Sequence, residues 1–443
     1  MNQNPTPNNA MNVSLRFHTH NPNSTLSVTA DVGKDDLHLH TQIPLSQGAD
    51  KVVELHIANR NRPIQAALAQ YAQLAQEHRL EQLRLVCEPT GGYERRLLRL
   101  ARQAGHQTAY LNTESVKQLR VVESNDSTKS DEKDPRTMFL LVKLGKTLTH
   151  RSLSEPWLAL REWGMHYSDL EAQAVAIRGR LHRVLMELFC ELSFKVDFLF
   201  RSPTALKVVQ AYGLNPYRMV QDGQTRCLTR LKRAQIRRDT AQRLWADAQR
   251  SVLQQLPQAH IELLELRLRE GYADYQRCRE RMDHARQRMV GLLHQLQHSG
   301  QVKLRAVAGV INEFLLARIL GETGPLKDFD HWRQLLRYGG FNLRLRESGQ
   351  YKGYRRLSKK GRAGLRKVTM QAVLPRVRKQ DLFGEEYHRR KAKGVPGQKA
   401  LVTIARKYLK MLWGWEHSSQ AFDRERVFVD LARWSAAHQA LAA

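Results

Sequence analysis

The chain has 443 residues, with 72 Lys and Arg against 43 Asp and Glu, a formal net charge of +29 and a pI of about 10.3. A balance this basic points to DNA or RNA rather than an acidic small molecule, with a membrane surface as a weaker rival. The absence of an apolar run of about 18 residues argues against a spanning helix. Four scattered cysteines (Cys87, Cys190, Cys227, Cys278) without a CxxC argue against a disulfide framework or zinc knuckle and fit a reducing cytoplasm.

At roughly 150 residues per domain the length allows about three domains. Residues 1–24 are polar, lack the charged-then-apolar order of a secretory signal, and read as a disordered tail. Residues 25–150 follow a βββαβαβ pattern. Alternation predicts strands over Leu26–Asp31, Leu37–Ile43 and Lys51–Ile57. A helix follows over Arg62–Glu77, with Ile64, Leu68, Tyr71 and Leu74 on one side. Strand Leu83–Glu88, helix Tyr93–Ala104 and strand Thr108–Leu111 complete a mixed sheet with helices on its faces.

Long helices are expected over 151–300. One heptad seam runs through Leu170, Ala174, Ile177, Leu181, Val184 and Leu188, and a second through Tyr275, Cys278, Met282, Ala285, Met289 and Leu292. Two helices of one bundle, an antiparallel coiled-coil hairpin and a dimerising coil all fit this spacing. Arg226–Arg250 reads as a solvated or nucleic-acid-facing basic stretch. In the compact region 301–420, Leu304–Val310 followed by the apolar helix Phe314–Leu320 is similar to a helix-hairpin-helix, whose glycine turn presents amides to a phosphate, or to an ordinary helical packing unit. Residues 421–443 are expected to form a helical C-terminal tail.

Carboxylates inside so basic a chain suggest Mg²⁺ and phosphodiester chemistry, because hard cations need several converging anionic oxygens. Asp31 and Glu88 end two strands, placing both at one edge of a sheet. Asp131 and Asp134, at i and i+3, share a face if their segment is a helical turn. Pro135 disfavours helical backbone at Asp134, which makes Asp134 an N-cap and Pro135 the first helical residue. Each acid alone also reads as an ordinary strand end or solvated charge.

A second constellation lies between Arg344 and Lys367. Arg344, Arg346, Lys352, Arg355, Arg356, Lys359, Lys360, Arg362, Arg366 and Lys367 surround a single acid, Glu347, with Tyr351 and Tyr354 interleaved. Ser348 among them either attacks phosphorus while these cations neutralise the non-bridging oxygens, or simply makes a turn in a phosphate-binding loop. Ser358 is expected to cap a helix starting near Lys359. His38 and His40 form an H-x-H pair on one side of a strand. Zinc is conceivable there, but the sequence offers no third ligand, so a surface or core pair is expected. Trp413, Trp415 and Trp434 are expected to pack rather than stack on bases.

Together these blocks resemble the DEDD transposases, insertion-sequence recombinases related to the pilin-gene invertases. The resemblance runs from about Ser27 to Trp415. It rests on Asp31-Val-Gly33, Glu88-Pro-Thr-Gly-Gly-Tyr93, Lys129-Ser-Asp131-Glu-Lys-Asp134, Val307-Ala-Gly309-Val310, Leu336-Arg-Tyr-Gly-Gly340, Ser348-Gly349 and Leu357-Ser-Lys-Lys-Gly361. It implies an α/β RNase-H-like (RuvC-like) N-terminal domain, a coiled-coil middle and a mostly α C-terminal transposase domain. It also implies Asp31, Glu88, Asp131 and Asp134 as Mg²⁺ ligands, and Ser348 as the nucleophile of a covalent phosphoserine link to DNA. Acids and serine would come from different protomers of a dimer or tetramer, and a structured bridge RNA would pair with donor and target DNA. The implied setting is the bacterial cytoplasm. Pro135, Glu347 and the long N-terminal tail depart from the family pattern. The rival readings are a structure-selective nuclease using water and a non-catalytic nucleic-acid-binding protein.

Overall fold

The computed structural model describes residues 24–43, 50–124, 133–194, 203–344, 347–348, 351–352, 356–378, 382–420, 422–423 and 427. Two compact units make up the chain, Met1–Ser152 and Leu153–Ala443. The expected N-terminal tail, Asp131, and nearly all of the C-terminal tail lie outside the described residues.

The first unit is built on a six-stranded sheet of order β3-β2-β1-β4-β5-β6. Strands β1 (Thr25–Val32), β2 (Asp36–Ile43) and β3 (Lys51–Ala58) form an antiparallel meander. β4 (Gln82–Cys87) pairs parallel with β1, β5 (Gln107–Tyr110) parallel with β4, and the short β6 (Leu148–Thr149) antiparallel with β5. Crossovers through α1 (Asn61–Glu77) and α2 (Glu94–Gln103) make the parallel pairings possible, since a tight hairpin cannot join parallel neighbours. The period of two then sorts each strand into faces. Leu26, Val28, Ala30, Leu37, Leu39, Leu83 and Leu85 pack with Ile64, Leu68, Tyr71, Leu97 and Leu98 in one core. On the other face, α3 (Thr113–Ser124) and α4 (Lys133–Lys143) bury Val86, Ala109, Val116, Met138 and Val142. Alternation thus turns Thr29, Asp31, His38 and His40 toward the face that α4 covers. Thr29 Oγ1 donates to the Pro135 carbonyl at 2.7 Å, tying the first turn of α4 to the central strand.

The second unit is organised by two long helices, α5 (Glu155–Leu188) and α10 (Gln258–His298). Gly164 lies against Met289, the Leu170 carbonyl accepts from Cys278 Sγ, and Leu181 lies against Gly271, so the helices run antiparallel within the chain. Leu170, Leu181, Val184, Leu188, Tyr275 and Cys278 are buried along this seam. At one end the pair is closed by helices α6 (Pro203–Tyr212), α7 (Pro216–Asp222), α8 (Gln224–Arg233) and α9 (Arg238–Ser251), with Tyr212, Met219, Cys227, Leu231 and Trp245 in a shared core. At the other end Trp157, Leu160, Met289 and Leu293 join a core with α11 (Glu313–Thr323), α12 (Trp332–Tyr338), α13 (Ala363–Val373), α14 (Leu382–Ala392) and α15 (Gly397–His417).

Several local expectations change. Leu304–Val310 is an irregular turn closed by one Val307–Ile311 bridge, and the Val307 carbonyl accepts from the amides of both Val310 and Ile311. Those amides are therefore spent internally rather than offered to a phosphate. Ser358 caps a turn, not a helix: its hydroxyl contacts Asn342 and accepts from the Lys360 amide, while α13 starts at Ala363. Trp413 packs as expected, its indole donating to the Phe329 carbonyl at 2.7 Å, and Trp415 meets Phe422; Trp434 lies outside the described residues.

Candidate active site

Two strand ends and one helix start converge on the α4 face of the sheet. Asp31 sits one residue before the end of β1, and Glu88 follows β4 directly. Because Ala30 pairs with Cys87 in the parallel ladder, the two acids leave neighbouring strands at the same level. Asp134 comes from the first turn of α4, with Lys133 already helical. That differs from the expected N-cap. A proline in a first turn costs little because its missing N–H has no helical acceptor there. The helix N-terminus favours the carboxylate beside it.

Glu88 records the convergence electrostatically. Burial first, then the charges of Asp31 and Asp134, push its carboxyl above the ordinary carboxylate range, against a hydrogen bond from Thr113 and the charge of Arg120. Glu88 Oε1 is buried and accepts no hydrogen bond among the described residues. Asp134 is 5% exposed and its Oδ1 lies 2.6 Å from Arg120 Nη2 of α3. Asp31 and Asp134 lie near enough to act on the Glu88 charge, but one oxygen from each of the three acids does not come within 4.8 Å of the others, so a shared hard cation would have to draw them closer.

The loops behind the acids are pinned. The Glu94 carboxylate accepts from the Thr90 amide, the Thr90 hydroxyl and the Gly92 amide, at 3.2, 3.0 and 2.9 Å. Burial acts to raise its pKa, but these donors together hold it below the ordinary range. Asn59 donates to the Gly33 carbonyl at 2.9 Å and is contacted by Arg96, which joins the turn after Asp31 to α2. Gly33 packs closely on the turn: an added Cβ would meet Asp36 Oδ1 at 2.6 Å and the Asp36 carbonyl at 3.2 Å, so the Asp36 side chain would have to shift.

His38 and His40 separate in role. His40 is buried, 2.8 Å from Glu54 Oε1 and edge-on to Phe139; burial lowers its pKa, against the Glu54 contact. His38 pairs across the ladder with His56, their rings stacked at 4.0 Å. His56 Nε2 lies 3.0 Å from Asp36 Oδ2, and this hydrogen bond is the main reason the Asp36 carboxyl is held below its ordinary range.

In the second unit, Ser348 lies in a short ladder whose base is tightly closed. β7 (Leu343–Arg344) pairs with β10 (Arg356–Leu357), and β8 (Glu347–Ser348) with β9 (Tyr351–Lys352), placing Ser348 opposite Tyr351. Below them the Lys359 amide donates to the Gly340 carbonyl and the Arg362 amide to that of Tyr338. Gly361 (φ +144°) lies where a Cβ would stand 2.5 Å from the Gly340 nitrogen and the Tyr338 oxygen. The Leu336–Gly340 and Leu357–Gly361 blocks are therefore the two sides of one neck. Among the expected nucleic-acid contacts, Arg356, Lys359 and Lys360 are exposed, while Arg362 Nε is 2.5 Å from Glu322 Oε2 and serves the neck. Arg346 and Arg355 lie outside the described residues, and for Arg344 and Lys352 the backbone alone is described. Exposed Arg226, Arg230 and Arg233 line a groove on α8 with Asp222, Thr225 and Thr229.

Sequence reasoning missed Arg120, Thr113, Glu94 and His56. The Asn112-capped start of α3 was the available signal for the first two, because Asn112 Oδ1 accepts from the Glu114 and Ser115 amides.

Residues 28–190 match a transposase family model for the DEDD transposases of the IS110 group. Residues 294–388 match a second model, described as the transposase IS116/IS110/IS902 family. No curated protein matches the chain.

Proposed function

As this chain belongs to the DEDD transposase family, we propose that it is an insertion-sequence recombinase that cuts and rejoins DNA through a serine-linked intermediate, guided by a structured bridge RNA. The observation that carries the reading is the grouping of Asp31, Glu88 and Asp134 on one sheet face, with the buried Glu88 Oε1 lacking a donor. The strand order 3-2-1-4-5 supports an RNase-H-like assignment of the first unit.

Asp31, Glu88 and Asp134 hold Mg²⁺ in this proposal, together with Asp131 of the same sequence block. When bound, the cation polarises the scissile phosphate. The chain's own residues do the rest. Arg120 and the amides behind Glu94 fix the acids, so little reorganisation is left for the reaction. Ser348 Oγ bonds to phosphorus while the bond from phosphorus to a deoxyribose oxygen breaks; the serine proton is lost and the leaving oxygen gains one. The phosphodiester energy stays in the serine ester, so resealing needs no ATP. This is consistent with a sequence that contains no GxxxxGK[ST] loop. Cations between Arg344 and Lys367 neutralise the non-bridging oxygens, and the exposed arginines of α8 extend the polyanion-binding surface. The donor and target DNA, the RNA and a second protomer are the partners of this reading, and the cytoplasm its setting. No helix among the described residues is long and apolar enough to cross a membrane.

The test is a trapped protein–DNA adduct in Mg²⁺. Wild type is expected to give it, and Ser348→Ala to abolish it while nucleic-acid binding persists. An adduct of undiminished yield in Ser348→Ala removes the serine from the mechanism. Cleavage without any adduct favours hydrolysis by water.

A further inference from the structure

We propose that Asp36, His38 and His56 form a binding site for a borderline transition-metal dication, with zinc as the natural probe, distinct from the acidic centre. The sequence shows two of these residues on one strand; the third arrives only through register. His38 of β2 and His56 of β3 are direct partners in the antiparallel ladder, so their side chains rise from the same face. Asp36 lies two residues before His38 on β2 and therefore on that same face.

The donor atoms meet. Asp36 Oδ2 is 3.0 Å from His56 Nε2 and 3.7 Å from His38 Nε2. One ligand atom from each of the three residues lies within 4.8 Å of the others. Zinc bonds of about 2.0–2.1 Å in a tetrahedron set ligand atoms roughly 3.4 Å apart, and the two measured separations bracket that value. Both Nε2 atoms lie near one carboxylate oxygen, and because the imidazoles are stacked 15° from parallel, one ring must turn about its χ2 for a single metal to lie in the plane of both. Two imidazoles and one carboxylate form a three-ligand set with a coordination position left for water or an oxyanion. The side chains of Asp36 and His56 are 51% and 61% exposed, which leaves that position open to solvent.

The turn that carries Asp36 is held in place. The Gly33 amide donates to the Asp36 carbonyl at 2.9 Å, and the missing side chain of Gly33 makes room for Asp36 Oδ1. The Asn59 amide donates to Asp35 at 2.8 Å, closing β3 onto the same turn. The backbone that carries Asp36 and leads into His56 is thus set before a metal arrives, which reduces the ordering cost of binding.

Asp31 is the ladder partner of His38, so Asp31, His38 and His56 form one row across three strands. The two sites are neighbours with different chemistry: all-oxygen donors favour magnesium, whereas imidazole nitrogen favours zinc, cobalt or nickel. Magnesium should therefore not displace zinc from the histidines.

The experiment is a Co²⁺ titration of the full-length, tag-free, metal-stripped protein, followed by Zn²⁺ competition. With excess Mg²⁺ present to occupy the acidic centre, wild type is expected to bind one equivalent with visible d–d bands of low coordination number, displaced by Zn²⁺. His56→Ala removes an exposed ligand and should weaken Co²⁺ binding by at least about tenfold, since even outer-shell changes cost that much. Circular dichroism checks that this variant is folded. The Asp31→Asn, Glu88→Gln double variant should bind Co²⁺ as wild type does. Three outcomes overturn the proposal: no stoichiometric Co²⁺ binding, binding undiminished in His56→Ala, or binding lost in the acidic double variant. None of them bears on the serine adduct, so the two readings fail separately.

Discussion

Replacing Arg120 with glutamine should act in opposite directions on the metal-free and metal-bound protein. Arg120 Nη2 stands 2.6 Å from Asp134 Oδ1, with the two side chains 13% and 5% exposed. Breaking a buried pair leaves a charge without its counter-ion and costs about 3–5 kcal/mol; the slight exposure of Arg120 favours the lower end, about 3 kcal/mol. The loss is aggravated here because Asp134 also lies near the Glu88 carboxylate, whose pKa it raises together with burial and Asp31. In a unit of Met1–Ser152, each kcal/mol moves the midpoint by about 2–4 °C, so the metal-free variant should melt about 6–12 °C lower. Mg²⁺ should then recover more in the variant than in wild type, because no guanidinium competes for Asp134. At a hundred times Kd the recovery is about 2.7 kcal/mol, nearly the whole deficit. Calorimetry or fluorescence melts with and without Mg²⁺ read both effects. A metal-free midpoint equal to wild type, or a Mg²⁺ shift no larger than that of wild type, refutes the reasoning.

Glu88→Gln should stabilise the metal-free protein at neutral pH and sharply reduce activity. Folding raises the Glu88 pKa above 4.5 through burial, Asp31 and Asp134, so the stabilisation from its protonated form is fully present below 4.5 and lost as pH rises through the raised value. Denaturant melts from acid to neutral pH should therefore show wild type losing stability relative to the glutamine variant, while strand transfer falls on the order of 10²-fold or more. A constant difference across that range would contradict this. Gly361→Ala should destabilise the neck by more than about 2 kcal/mol, because the new Cβ meets the Gly340 nitrogen and the Tyr338 carbonyl at 2.5 Å, at a φ that L side chains rarely adopt. Its readout is a lower melting midpoint of Leu153–Ala443, and an unchanged midpoint would contradict it.

What the sequence made legible was local. Alternation located β1 to β5 within a residue or two, and the acids at their ends followed. The seam residues were also readable, and their burial against each other follows from the helical period. Partners set by register or by tertiary approach were not readable. His56 becomes a neighbour of His38 only once β2 and β3 are aligned, and Arg120 meets Asp134 only when α3 and α4 pack. Ser358 misled because a serine before a basic helix has the signature of an N-cap, yet the closing of the neck draws it to Asn342 instead. The offset at Asp134 has a similar origin: Pro135 fits either side of a helix start, and the bond from Thr29 to its carbonyl fixes it within the first turn.

The most direct measurement is anomalous diffraction from crystals of the full chain soaked in Mn²⁺ as a Mg²⁺ surrogate. The expected result is a peak coordinated jointly by the carboxylates of Asp31, Glu88 and Asp134 and absent from Glu88→Gln crystals. A fully soaked crystal with no peak there, or with Mn²⁺ held by other residues while these three carboxylates point apart, would contradict the shared-cation centre.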